Sequence, residues 1–265
     1  MINKIRGSVK ELHPLVHCIT NPISINQCAN VILAAGARPI MAEHPEEAAV
    51  VTRTAAAVML NLGNITDVRK QSMLISAQTA KELGIPFILD VCGAACLPTR
   101  RDYALSLIGK AVPSVVKGNY SEINALCHEH YSSSGVDADI TLGTPELDIA
   151  AVRLARGYGT VVLASGKTDI VTDGKRLVHI YNGSPQLASI TGTGCMQGAL
   201  CAAYLSSAPA AEAAVAACTV FGICGSLAET EKGSGTFAVN LMDALSTATD
   251  SDISKYADTE EIDVE

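Results

Sequence analysis

Apolar residues along the chain alternate between short unbroken runs and longer stretches at helical spacing. Leu15 to Ile19 reads as a buried strand, Ile23 to Ala35 as a helix, Arg38 to Met41 and Ala55 to Leu60 as further strands. Thr66 to Leu83 has helical spacing and ends at Gly84 with Pro86 beyond, the pairing that stops a helix. Phe87 to Asp90 then reads as a strand, Ser114 to Val116 leads into a helix over Asn119 to Leu126, and Leu147 to Arg156 leads into the apolar run Thr160 to Leu163. Such strand-helix crossovers build a mostly parallel sheet with helices on both faces.

From Asp169 to Tyr181 the pattern changes to two short alternating runs around Thr172-Asp-Gly-Lys175, which predicts a hairpin and hence an antiparallel edge. Cys195 to Leu205, Ala210 to Thr230 and Ala238 to Leu245 read as helices, so the sheet is expected to be complete by about residue 180. Acids at 250, 252, 258, 260, 261, 263 and 265 face a single Lys255. The expected organisation is therefore one α/β domain over 1–249 and a solvated acidic tail over 250–265.

Composition sharpens this. Hydrophobic residues make up 48% of the 265 and charged residues 17%, enough apolar side chain for a large core. A formal charge of −8 disfavours nucleic acid and anionic membrane as partners. The apolar stretch Ala213 to Ala228 falls short of the ~18 residues of a membrane span and is expected to be a buried helix. The start, Met-Ile-Asn-Lys-Ile-Arg, has no export-signal pattern. The nine cysteines are expected to be reduced and the protein cytoplasmic.

Candidate chemistry concentrates in Ser189-Ile-Thr-Gly-Thr-Gly-Cys-Met-Gln-Gly198, a glycine-rich turn opening a helix. Free amides and the positive helix end would converge there as an anion hole; a plain turn with close helix packing at Gly198 is the alternative. Ser165-Gly-Lys-Thr168 has the last letters of a phosphate-binding loop, but Val161 stands where the upstream glycine belongs and a strand follows. It is not that loop, though its place after a buried strand suits the mouth of a nucleotide site. Asp90 and Glu122 sit near the ends of strands and could together hold hydrated Mg²⁺. Glu122 is equally the third residue of a capping box begun by Asn119. Lys117 is a phosphate contact or a surface lysine, and Cys127-His-Glu-His130 offers metal-ligand types with no second cluster, so a helix end is favoured there.

Taken together, Val16-His-Cys-Ile-Thr-Asn-Pro-Ile-Ser-Ile-Asn26, Gly36-Ala-Arg-Pro-Ile-Met-Ala42, Leu60-Asn-Leu-Gly-Asn64, Lys117-Gly-Asn-Tyr-Ser-Glu-Ile123 and Ile190-Thr-Gly-Thr-Gly-Cys-Met-Gln-Gly-Ala199 resemble the hydroxyethylthiazole kinases. These form the thiamine-salvage branch of the ribokinase-like superfamily, and the likeness spans nearly the whole chain. Cys195 carries it furthest, since ribokinase relatives generally have aspartate there. The resemblance implies a three-layer ribokinase-like sandwich that phosphorylates the hydroxyl of 4-methyl-5-(2-hydroxyethyl)thiazole with ATP and Mg²⁺. It implies that Asn21, Met41 and Gly192 contact the thiazole alcohol, that Lys117 and Ser165 face ATP, and that Asp90 and Glu122 organise Mg²⁺. Cys195, Gly192 and Gly194 would form the catalytic turn, and a homotrimer would share its active sites between subunits. Two positions depart from the family: lysine replaces the usual arginine at 117, and Asp90-Val-Cys-Gly93 replaces Asp-Pro-Val-Gly. A kinase for another vitamin-precursor alcohol, a nucleotide-hydrate dehydratase of the same fold, and a thiazole-binding homologue without turnover are the rival readings.

Overall fold

The computed structural model describes residues 1–127 and 144–264. In chain order its elements are α1 (Ile2–Leu12), β1 (Leu15–Ile19), α2 (Ile25–Ala34), β2 (Arg38–Ile40), α3 (Pro45–Thr54), β3 (Ala57–Asn61), α4 (Asp67–Leu83), β4 (Phe87–Asp90), α5 (Pro98–Lys110), β5 (Val115–Asn119) and α6 (Tyr120–Cys127). After the undescribed stretch come α7 (Thr144–Tyr158), β6 (Val161–Ser165), β7 (Asp169–Thr172), β8 (Arg176–Ile180), α8 (Thr193–Leu205), α9 (Ala210–Leu227), α10 (Ser234–Thr247), α11 (Asp250–Tyr256) and β9 (Thr259–Asp263).

The strands form one sheet in the order β2-β1-β3-β4-β5-β6-β7-β8-β9. Every pairing from β2 to β6 is parallel, and β7, β8 and β9 add on antiparallel. Alternation along each strand divides the core in two, because successive side chains point to opposite faces. Val16, Cys18, Met59, Ile88, Val115 and Leu163 pack with the layer of α1, α2, α8, α9, α10 and α11. Ile19, Val58, Leu60, Leu89, Val116 and Val162 pack with α4, α5, α6 and α7. The result is helix layer, sheet, helix layer, as the crossover pattern predicts.

Local signals act where the sequence places them. Gly84 caps α4 in the left-handed conformation at φ 67°, and Thr66 accepts from the Arg69 amide at its start. In the 172–175 hairpin turn, Asp173 Oδ1 accepts from the amides of Lys175 and Arg176 at 2.8 Å each. The helix α9 is the one helix among the described residues long and apolar enough to cross a membrane, and most of it is buried inside the protein. All nine cysteines are free thiols.

The segment 250–264 corrects the expectation of a tail beyond a sheet finished by about residue 180. A capping box joins Thr249 and Asp252 at the start of α11, and β9 pairs antiparallel with β8 from Arg176↔Asp263 to Ile180↔Thr259. All five side chains of β9 are exposed, so acids cost nothing there while the backbone supplies the pairing. The N-terminal helix, which apolar runs do not reveal, is tied to the same region: Arg6, only 4% exposed, donates to Asp250 Oδ1 at 2.5 Å and to the Ala248 carbonyl.

Candidate active site

Parallel strands deliver their carboxyl ends to one side of the sheet, and four of them bring polar groups there. The register places Asn61 beside Asp90, Asp90 beside Lys117, and Asn119 beside Ser165. Asp90 and Lys117 are 2% and 3% exposed, and Lys117 Nζ donates to Asp90 Oδ2 at 3.3 Å. A surface lysine at 117 is thereby ruled out. Burial pulls the ammonium pKa down, but the negative charges of Asp90, Cys195 and Glu122 outweigh it and hold Lys117 above the usual lysine value.

Glu122 completes the acidic pair and is also a capping-box residue. Its Oε2 accepts from the Asn119 amide at 2.7 Å while Asn119 Oδ1 accepts from the Glu122 amide at 2.9 Å. The other oxygen, Oε1, accepts from the Gly93 amide at 2.7 Å, tying α6 to the loop after β4. Burial first, and the neighbouring charge of Asp90 second, push the Glu122 carboxyl up to about 7. Two buried carboxylates are hard oxygen donors of the kind Mg²⁺ takes when waters and phosphate oxygens fill its remaining positions. No cluster of three or more His, Cys, Asp or Glu placed to hold a metal occurs among the described residues, so an all-protein cage is not what these acids build.

Facing the acids is the start of α8. Gly192 is its N-cap at φ 87°, a conformation that favours glycine, and a Cβ there would stand 2.9 Å from Ser24 Cβ. The first backbone bond into the helix runs from the Met196 amide to the Gly192 carbonyl at 2.9 Å. The amides of Thr193, Gly194 and Cys195 therefore precede the helical ladder at the positive end of the dipole. A Cβ on Gly194 would lie 3.6 Å from Lys117 Nζ, and one on Gly198 would meet Met59, Lys117 and Asp90 at 3.2–3.4 Å. Gly198 is thus the close-packing glycine of the pair of readings, and Gly192 the turn.

Cys195 is 8% exposed and sits among donors. Asn21 Nδ2 and Asn61 Nδ2 each donate to its Sγ at 3.3 Å, and Asn21 also donates to Asn61 Oδ1 at 3.1 Å. The Cys92 thiol stands close to Cys195 as well. Interaction with it, helped by Ser24 and Lys117 and opposed by burial and Asp90, brings the Cys195 thiol below its ordinary value, while Cys92 is pushed up. Cys195 is the thiol that ionises first.

The structure thus brings together Asn21, Asp90, Lys117, Glu122, Gly192, Gly194 and Cys195. Met41 stands at the outer edge of the parallel sheet, half-buried against the core on the α8 side, just before Ala42, whose carbonyl accepts from His17 Nε2 at 2.8 Å. Ser165 ends β6, half-buried, with Oγ 3.4 Å from the Gly118 carbonyl. Asn61 and Cys92 are the contacts of Cys195 that sequence reasoning missed. Asn61 had a signal, an amide closing a fully buried strand; Cys92 had none until the fold placed it opposite α8. Of Cys127-His-Glu-His130, Cys127 ends α6 with its thiol on the Ala150 carbonyl, and residues 128–130 lie outside the described residues.

Comparison with known proteins identifies the family. The model of the "Hydroxyethylthiazole kinase family" matches residues 7–251. "Hydroxyethylthiazole kinase 2" of Clostridium botulinum strain Hall is 45% identical over 257 residues, 95% of this chain and 97% of its own. The hydroxyethylthiazole kinase of Methanoculleus marisnigri is 39% identical, over 96% of this chain and 91% of its own. The solved hydroxyethylthiazole kinase protein of Pyrococcus horikoshii superposes with a TM-score of 0.91 at 35% identity, covering 99% of both chains. A ribokinase-like superfamily protein of Enterococcus faecalis, at 15% identity and a TM-score of 0.65, shares the fold alone. A glycine turn ending in cysteine, opposite paired acids on a ribokinase-like sheet, and a match running nearly end to end place this chain in the hydroxyethylthiazole kinase family.

Proposed function

We propose that this protein transfers the γ-phosphoryl group of ATP directly to the hydroxyl of 4-methyl-5-(2-hydroxyethyl)thiazole, as thiamine salvage requires. The observation that carries the reading is Cys195 at the N-terminus of α8, held by two amides and facing the Asp90–Lys117 pair. The substrate oxygen attacks the γ-phosphorus in line, the bond to the ADP oxygen breaks, and the hydroxyl proton passes late to Cys195. A loose transition state asks little of a base, so orientation of the hydroxyl is the main task of the thiol. The amides from Gly192 to Cys195 stabilise the charge on the transferring oxygens.

Asn21 and Met41 bind the thiazole alcohol, with Asn21 also orienting Cys195. Lys117 and Ser165 face ATP; lysine at 117 keeps the charge but lacks the planar fork of an arginine. Asp90 and Glu122 would hold Mg²⁺, which when bound neutralises phosphate charge. The active unit is a homotrimer with sites between subunits, and nine free thiols suit a reducing compartment such as the cytoplasm. Among the rival readings, a thiol at 195 in place of aspartate favours the thiazole alcohol over other vitamin precursors.

A coupled ADP-release assay over a panel of heterocyclic alcohols tests the reading. The thiazole alcohol should give the highest kcat/KM; binding without ADP release would leave a non-catalytic thiazole-binding protein. Light scattering should give about three times the 27.5 kDa chain mass, and a stable active monomer would refute shared sites.

A further inference from the structure

One buried carboxylate remains outside this machinery. Asp169 opens β7, is 8% exposed, and has neither a lysine nor an arginine within ion-pair distance among the described residues. Its Oδ2 accepts from Gln197 Nε2 at 2.5 Å and its Oδ1 from the Gly166 amide at 3.0 Å. Burial raises its pKa, and those bonds together with the charge of Lys117 work against the rise. Replacing both partners of such a bond by apolar groups of the same shape can be nearly neutral for stability, so stability alone does not account for it.

What the carboxylate joins is informative. Gln197 lies on α8 one turn from Gly194, on the same side of the helix, so its placement fixes where the first-turn amides stand. Gly166 belongs to the loop 165–168 between β6 and β7. That loop is fastened from the opposite side by Tyr120, whose hydroxyl accepts from the Thr168 amide at 3.3 Å and donates to the Thr168 carbonyl. A Cβ on Gly166 would come within 2.4 Å of the Tyr120 ring, so the loop has no room to shift that way. Asp169 therefore touches both the loop and the helix that the proposed mechanism needs in register.

We propose that Asp169 and Gln197 are positioning residues that set the 165–168 loop against the N-terminus of α8, aligning the nucleotide's phosphate chain with the amides of the turn. The proposal rests on the reading that this loop faces ATP. Replacing Gln197 with methionine keeps length and removes the bond, and should raise KM for ATP by roughly tenfold, the scale of one charge-assisted hydrogen bond. KM for the thiazole alcohol should stay within about twofold, since a purely structural defect would move both. Gln197→Glu sets two carboxylates face to face and should be worse, whereas Asp169→Asn combined with Gln197→Glu restores the bond with donor and acceptor exchanged and should recover KM for ATP. Should Gln197→Glu alone fail to fold, the methionine variant and the double exchange carry the test. Equal shifts in both KM values, or a double variant that regains thermal stability but not ATP affinity, would overturn the proposal. Hydrogen exchange on the wild-type protein separates the two readings: ADP should protect the amides of 165–168. No protection there defeats the nucleotide reading and the proposal with it; protection with an unchanged KM for ATP in Gln197→Met defeats the proposal alone.

Discussion

The parallel and antiparallel parts of the one sheet use polar residues in opposite ways. Between β3 and β6, Asn61, Asp90, Lys117 and Ser165 lie toward the carboxyl ends of strands that all run the same way, so they converge. Along β8 and β9 the directions alternate and charge is spread over the surface. Arg176, 44% exposed, meets Asp173, Glu212 and Glu261 at 3.5–3.8 Å, and such exposed pairs contribute about 1 kcal/mol or less. Strand direction, more than the residue types themselves, decides where the sheet concentrates chemistry. It is why ligands gather at the carboxyl ends of parallel strands.

The contrast is sharpest if Asp90 is replaced by alanine. Lys117 then stays buried without its carboxylate, a change that typically costs about 3–5 kcal/mol, and thiazole kinase activity should disappear. Denaturant unfolding beside an ADP-release assay reads both, and a stable, active variant would show that convergence is not what matters. Next in size is Cys195. The alanine variant should turn over more slowly by roughly the 10²–10⁴ of general acid–base assistance or less, with serine and aspartate closer to wild type. Inactivity of all three variants while both substrates still bind, or a trapped phosphocysteine, would instead mean covalent transfer.

The antiparallel edge should behave differently. Ending the chain after Ala257 removes β9, and Tm should fall by about 2–4 °C, the scale of one kcal/mol in a chain this long, with kcat and both KM values unchanged. A loss of turnover would make the edge part of the site. The smallest effect is one of slope. His17 lies mid-strand in β1 rather than at a carboxyl end, bonded to Thr52 Oγ1 at 2.9 Å and the Ala42 carbonyl at 2.8 Å, and burial lowers its pKa from 6.5. The unfolded chain therefore takes up this proton first. The contribution to stability is complete above 6.5 and is lost as pH falls below it toward the lowered folded value. Tm measured from pH 5 to 8 should fall less steeply on the acid side in His17→Gln than in wild type; parallel profiles would remove His17 from the acid response.

How far the sequence speaks depends on how local the physics is. The Gly84 stop, the 172–175 hairpin turn, the Asn119–Glu122 capping box and the Gly192 turn each complete their hydrogen bonds within a few residues, and each is legible. The short, mostly apolar runs betray β1, β4 and β6 for the same reason. The edge strand β9 carries no such pattern, because an exposed edge pairs through its backbone and leaves side-chain choice nearly free. The turn and the acids stand out by their own residue types, whereas Asn21 enters only through the family resemblance. Asn61 on Cys195, Cys92 opposite it, and Gln197 on Asp169 come from contacts spanning tens of residues or more, which only the fold reveals.

The strand order also has a consequence for the chain as it leaves the ribosome. From β4 to β8 each strand docks beside the one made just before it, and α4 to α7 cover their face of the sheet as they appear. The opposite face waits. Besides α1 and α2 its cover is α8, α9, α10 and α11, all synthesised after the hairpin, so a nascent chain that has emerged as far as residue 180 holds a nearly finished sheet with much of one greasy side bare. Such an intermediate is the one most exposed to aggregation, and the most in need of a chaperone at the tunnel exit. The Gly192 turn belongs to the first of those late helices, so the step that begins to shield the chain is also the step that completes the candidate site.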